Sequence, residues 1–149
     1  MPKFFSIILL LVLSLAAGAE QKTLDQLKTE AEHASPDQQG RLYAEIAEKL
    51  VGVADKQFTD GESVKGHATV QDILQYAAKA HDLVIESRKK MKETEKSLRE
   101  CHRRLENMKR TLAAEDRPRV EAVEKQVDKL TEEVLESMFA PPEKKRDHK

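Results

Sequence analysis

The chain has 149 residues, enough for one domain, and its formal net charge at pH 7 is −1. Charged residues make up 36% of the chain and aromatic residues only 4%, with no tryptophan. This composition excludes a large three-layer α/β enzyme core, and a single cysteine excludes disulfides within the chain. A folded chain of this kind must place its few apolar residues with strict periodicity.

The first nineteen residues have the parts of an export signal. Lys3 supplies a positive charge, residues 4–15 form an apolar run broken only by serines, and Ala17 and Ala19 occupy the small-residue positions before a cleavage site. The run is shorter than the about 20 residues that a membrane-spanning helix needs. Residues 1–19 are therefore predicted to be a cleaved signal peptide, and the protein to lie in the periplasm or outside the cell. A retained membrane anchor is the alternative interpretation.

Capping and turn signals divide the remaining chain into four predicted helices. Thr23 begins a capping box, and Ser35 begins a second one with Pro36 at the first helical position. Gly61 and Gly66 bracket a polar loop before the third helix. No segment shows the alternation of apolar and polar residues that is typical of strands. The predicted helices span residues 23–33, 36–59, 69–113 and 117–139.

The third predicted helix carries the clearest pattern in the sequence. Between Gly66 and Pro118 there is no Gly or Pro, and mostly apolar residues recur there every seven positions, with a second set three positions later. This is the a/d heptad pattern by which one helix packs against another. The a positions are Val70, Ala77, Val84, Met91, Leu98, Leu105 and Leu112; the d positions are Ile73, Ala80, Ser87, Thr94, Cys101 and Met108. The fourth predicted helix continues the core pattern with Val120, Val127 and Val134 in one set and Val123, Leu130 and Ser137 in the other.

The pattern predicts an all-α fold of elongated antiparallel helical hairpins, or a coiled coil, that share one long central helix. A continuous helix over residues 69–113 would be about 67 Å long, with the shorter helices lying end to end along it. The seam weakens near Met91, where two polar residues occupy core positions. The helical domain is predicted to span residues 20–140, and residues 141–149 to form a disordered basic tail.

Charge is distributed unevenly along the chain. Residues 20–62 carry 5 basic and 10 acidic side chains, residues 87–110 carry 10 and 4, and residues 111–142 carry 4 and 8. The favoured interpretation is that the basic stretch neutralises the acidic helices beside it; no aromatic residue is interleaved for base stacking, so no nucleic acid is expected. The alternative is an anionic lipid or nucleic-acid surface bound by Arg88, Lys89, Lys90, Lys92, Arg103, Arg104, Lys109 and Arg110.

The chemically reactive residues form no catalytic, cofactor or metal motif. His67, His81 and His102 share one heptad position, but successive members lie about 21 and 31 Å apart along a helix, so they cannot share a metal. Cys101 and its neighbour His102 point about 100° apart, which is the wrong geometry for a nucleophile and its base. The sequence therefore predicts no enzyme, no cofactor, and no catalytic, cofactor-binding or metal residue.

Part of the first half resembles a degenerate tetratricopeptide-type hairpin. The resemblance covers residues 40–83, departs from that family's spacing at the glycine turn, and leaves its usual Trp and Pro positions unfilled; it rests on Phe58, Gly61, Ala68, Ala77, Ala78 and Ala80. The whole chain is similar to uncharacterised exported helical proteins of bacteria. In size and export alone it also resembles small periplasmic helical chaperones, whose Leu-Thr-x-x-Gln repeat it lacks.

These observations favour an exported, monomeric helical protein that acts by contact with a protein partner or as a structural element. One alternative is a periplasmic chaperone or stress-binding protein that uses an apolar groove near Met91. The other is the anionic-surface binder described above. No stable membrane span is expected after signal cleavage.

Overall fold

The computed structural model describes residues 22–142, and within them the chain forms five α-helices and no strand. The helices are α1 (Leu24–His33), α2 (Pro36–Thr59), α3 (Ser63–Ser87), α4 (Met91–Thr111) and α5 (Arg117–Phe139). The predicted all-α class and hairpin packing are confirmed. The predicted signal peptide and residues 143–149 of the predicted tail lie outside the described residues.

Local capping accounts for the helix bounds that were predicted correctly. The N–H of Gln26 donates to Thr23 Oγ1 at 3.3 Å, and Gln26 Oε1 accepts from the N–H of Thr23 at 2.9 Å, which completes the capping box of α1. Pro36 takes the first position of α2, where its missing N–H costs nothing. The capping box predicted at Ser35 is wrong, because the Ser35 side chain makes no capping hydrogen bond. The bounds of α2 and α5 agree with the predicted ones at both ends.

The predicted single helix over residues 69–113 is wrong, because the chain turns between α3 and α4. Arg88 and Lys90 have φ angles of 56° and 55°, the left-handed region that residues other than glycine rarely enter. Such a conformation costs about 1–3 kcal/mol per residue and persists only where neighbouring contacts hold it. The chain therefore folds back where the heptad pattern predicted a straight rod.

The side chain of Arg88 supplies contacts that hold this turn. Its backbone N–H donates to the Val84 oxygen at 2.9 Å, while its guanidinium donates to the backbone oxygens of Ser137 at 2.8 Å and Ala140 at 3.1 Å. Those oxygens belong to the C-terminal end of α5, where the helix dipole favours a positive charge. One residue thus ends α3 and caps α5.

Helices α2 to α5, each of 21 to 25 residues, form a four-helix bundle. Their order around the bundle is α2, α3, α5, α4, so that α3 and α4 stand at diagonal corners although only three residues join them. α2 is antiparallel to α3 and parallel to α4, and α5 is parallel to α3. The prediction that the shorter helices lie end to end along one long helix is therefore wrong. The short helix α1 packs on α2.

The core is built from the heptad positions. Eleven of the thirteen predicted a and d positions are buried, on both sides of the turn, and only Ser87 and Met91 beside it are half-buried. The phase of the pattern is confirmed although the continuity of the helix is not. On α5, Leu130 is half-buried and Thr131 lies in the core in its place.

The loop between α2 and α3 is shorter than predicted, because α3 already begins at Ser63. Gly61 makes the turn with a φ of 78°, as its sequence position indicated. Gly66 lies inside α3 instead of in the loop, and a Cβ there would come within 2.8 Å of the Phe58 ring. The ring packs directly on the helix backbone, so Gly66 is required by packing and not by a turn.

Two glycines of α2 provide a matched test of helix packing. A Cβ at Gly40 would lie 3.3 Å from the Ala80 oxygen and 3.4 Å from the Val84 nitrogen, whereas a Cβ at Gly52 would meet nothing within 4 Å. We expect Gly40→Ala to lower the free energy of unfolding by about 1–3 kcal/mol through overpacking. Gly52→Ala should raise it by about 0.5–1 kcal/mol through helix propensity. Urea denaturation measures both, and equal effects would contradict the close approach of α2 and α3.

Cys101 reports on the integrity of the core. It is fully buried, and burial raises the pKa of its thiol well above the ordinary value. Because the thiolate is the reactive form, we expect a thiol reagent to label Cys101 slowly in the native protein and rapidly in urea. Labelling that is equally fast with and without urea would show that this core position opens.

The monomeric state stays a prediction, to be checked on a non-reducing gel.

Candidate functional site

Three of the eight basic residues proposed for an anionic surface contact neighbouring helices, although the Arg104 side chain is itself 45% exposed. Arg88 caps α5, Arg104 Nη2 lies 3.4 Å from Glu48 Oε1 of α2, and Lys109 Nζ donates to Glu124 Oε2 of α5 at 2.5 Å. For Arg104 and Lys109, the interpretation that basic side chains neutralise acidic helices beside them agrees with the structure. The other five, Lys89, Lys90, Lys92, Arg103 and Arg110, are exposed.

A row of cations runs along the solvent side of α4, which we call the basic face. Its members are spaced by four, three, four and seven residues, so at 100° per residue they fall within a sector of about 60°. The row is about 27 Å long at 1.5 Å per residue. All its members are exposed: Lys92, Lys96, Arg99, Arg103 and Arg110.

Lys96 and Arg99 are not among the surface-binding residues predicted from the sequence. Both follow from the helical phase of α4, because they lie opposite the buried positions Leu98, Cys101 and Leu105. A helical-wheel comparison of the basic stretch with the heptad core would have placed them on the exposed face. The sequence therefore contained the information, because the positions of Lys96 and Arg99 relative to the a and d positions predict that both are exposed.

The basic face borders a groove between α2 and α4. The groove has a volume of about 670 Å³ and is open to solvent along one side. Burial raises the pKa of Glu48 in this groove, although Arg104 works in the opposite direction. The lining is ionic throughout, with six basic, four acidic and one hydroxyl residue: Lys22, Arg41, Lys49, Lys96, Arg99, Arg103, Glu45, Glu48, Glu93, Glu100 and Ser97.

A buried polar cluster joins α4 to α5. The Glu124 side chain is 10% exposed; besides the bond from Lys109, its Oε1 lies 2.9 Å from His102 Nε2. Burial works to raise the pKa of Glu124, but the bonds from Lys109 and His102 outweigh it and hold that pKa below its usual value. Because Lys109 and His102 both bond to the Glu124 carboxylate, the cluster links α4 to α5 and leaves no unpaired carboxylate oxygen for chemistry.

The three histidines that share a heptad position all face α5. His67 Nε2 lies 2.8 Å from Asp116 Oδ1, and His81 Nε2 lies 2.8 Å from Glu133 Oε2, while His102 contacts Glu124. Within residues 22–142, no group of three or more His, Cys, Asp or Glu residues is placed to hold a metal ion. Each imidazole instead connects α5 to the bundle at a different height.

On the opposite side of the bundle, α3 and α5 form a second groove, which we call the neutral groove. Its volume is about 450 Å³, and its floor is made by the half-buried side chains of Leu74, Ala78 and Leu130. Lys129 and Glu133 on its rim lie 3.8 Å apart and offset each other's charge. The rest of the rim is uncharged amide: Gln71, Gln75 and Gln126.

The apolar groove near Met91 stays a prediction. Met91 is half-buried and packs against the core. The groove that opens near the start of α4 is the ionic one, with Glu93 and Lys96 in its lining. An apolar floor is found at the neutral groove.

Comparison of the chain with protein-family models, with curated proteins and with solved structures finds no match. The resemblances to a tetratricopeptide-type hairpin and to exported helical proteins therefore stay predictions. None of the five described helices is both long and apolar enough to cross a membrane.

Glu124→Gln tests the buried cluster through the pH dependence of stability. Since the folded-state pKa of Glu124 lies below the unfolded value of 4.5, ionised Glu124 stabilises the fold above about pH 4.5. That stabilisation is lost as the pH falls through the folded-state value. We expect the variant to lose about 1–3 kcal/mol at neutral pH, and the deficit to shrink in acid.

Denaturation at neutral pH and at about pH 3, below the usual carboxyl range, measures this change. Glu132→Gln serves as the control, because Glu132 is an exposed glutamate of the same helix. Its effect should stay under about 0.5 kcal/mol at both pH values. A Glu124→Gln deficit that is undiminished in acid would contradict the assigned role of the carboxylate.

Proposed function

We propose that this protein is an exported, monomeric helical protein that binds a protein partner through the neutral groove. The observation that carries the proposal is the apolar floor of that groove. Leu130 occupies a predicted core position, yet it stays half-exposed beside Leu74 and Ala78. Apolar surface left open in a groove, with polar residues around it, is typical of a contact site.

The shape and charge of the groove favour one kind of partner. It lies between two parallel helices and extends over residues 71–78 of α3, about two helical turns. An amphipathic helix with two or three apolar side chains at i, i+3 and i+4 spacing fits such a groove. Because the rim is mostly amide, we expect the partner residues around that apolar face to be uncharged as well.

The proposal contains no catalytic step, because the reactive groups are taken up in packing. Cys101 is inaccessible, and its raised thiol pKa makes it a poor nucleophile. His67, His81 and His102 are paired with carboxylates of α5 or its N-terminal cap. Protein contact is therefore the function that the accessible groups support best.

A substitution in the groove floor tests the proposal. We expect Leu130→Glu to weaken capture of the partner by at least about tenfold, since it puts a charge where an apolar anchor binds. Leu135→Glu is the matched control, because Leu135 is 38% exposed on the same helix and does not line the groove. Capture from a periplasmic extract, followed by titration of the identified protein, gives both affinities.

The thermal midpoint of each variant establishes that the bundle is intact. Equal capture by Leu130→Glu and Leu135→Glu would show that the neutral groove is not the contact site. If the unmodified protein captures no partner whose binding depends on Leu130, the proposed function is overturned.

A further inference from the structure

The basic face of α4 lies outside the neutral groove and has no part in the proposed function. We infer that this face docks on an anionic phospholipid bilayer, next to the place where the N-terminal segment joins the bundle. The inference rests on the linear arrangement of the cations, on the position of Lys22, and on the absence of apolar and aromatic side chains from the described residues of that face.

The arrangement of the cations suits a flat surface. A plane touches a helix along a line, and the five members of the basic face lie along one exposed line of α4. Within the described residues, Lys92 and Lys96 take part in no ion pair. Arg99, Arg103 and Arg110 pair with carboxylates of their own helix, but their side chains remain 60–68% exposed. The pairs of Arg103 and Arg110 are partly exposed and therefore weak, whereas the partner of Arg99, Glu95, is buried; in all three cases the guanidinium stays open to solvent and can contact headgroups.

The entry point of the chain lies beside this face. Lys22 lines the α2–α4 groove together with Lys96, Arg99 and Arg103. In the sequence, the apolar run of residues 4–15 ends seven residues before Lys22, a distance of at most about 25 Å. A bilayer that holds the apolar run is therefore within reach of the basic face.

Either fate of the N-terminal segment adds to the same surface. If residues 1–19 are retained, the apolar run and the polybasic row provide the two signals that stable membrane attachment needs. If they are removed, the new α-ammonium group at Glu20 lies two residues from Lys22 and offsets the Glu20 carboxylate, so that the segment before Lys22 becomes less acidic. The bilayer is thus favoured in both cases.

Other polyanions fit the basic face less well. The rings of Tyr43 and Tyr76 pack on each other between α2 and α3, 5.8 Å apart, so they offer no stacking platform beside α4. Between Lys92 and Arg110, the sector of the basic face contains no apolar residue, whereas the centre of a protein–protein contact is normally apolar. Contact by charge alone is what an anionic bilayer surface provides.

The test compares two triple variants of the full chain. Each is purified with residues 1–19 retained or removed as the producing cell has processed them. The first is Lys92→Gln, Lys96→Gln and Arg103→Gln. The control, Lys56→Gln, Lys65→Gln and Lys125→Gln, removes the same charge from side chains that are 66–77% exposed on other helices. Partition is measured by co-sedimentation with vesicles of phosphatidylcholine alone and with phosphatidylglycerol added.

We expect the unmodified protein to bind vesicles with phosphatidylglycerol far better than phosphatidylcholine alone. At about fivefold per cation, the first variant should lose roughly a hundredfold in partition, and the control under about fivefold. Equal losses in the two variants, or binding that ignores the anionic lipid, would overturn the inference. So would tight binding of poly-glutamate without vesicle binding, which would indicate an acidic protein partner. Leu130→Glu should bind vesicles normally, so this result is independent of the proposed function.

Discussion

The turn at residues 88–90 is the constraint on which the rest of the structure depends. Two non-glycine residues in the left-handed region reverse the chain, and hydrogen bonds to the end of α5 fix the first of them, Arg88. The reversal places α4 beside α2 and α5 beside α3, which creates the ionic groove on one side of the bundle and the neutral groove on the other. A straight helix would have produced neither groove.

The helix pairs of the bundle are held together by different kinds of contact. α2 and α3 approach closely because small residues lie between them, with Gly40 against the backbone of α3. α5 packs through larger valines and is also joined to α3 and α4 by imidazole–carboxylate contacts at three heights. Apolar burial supplies most of the stabilisation of such a bundle, whereas directional polar contacts specify its register.

Much of the fold could be predicted because it depends on spacing within short stretches. The capping box at Thr23, the limits of α2 and the buried phase of the heptads all follow from neighbouring residues. The turn could not be predicted in this way, because Arg88 and Lys90 occupy conformations usually marked by glycine. The hydrogen bonds that hold Arg88 are accepted by residues about fifty positions away in the sequence. For the same reason, Leu130 was assigned to a core that the folded-back chain leaves partly open.

The alternating directions of the four bundle helices also bring both described ends of the chain to one end of the bundle. Lys22 lies near Arg41 and Glu93, and the backbone oxygen of Ala140 accepts a bond from Arg88 beside the start of α4. A mechanical pull applied through these two ends would therefore peel the outer helices apart contact by contact instead of shearing them along their length.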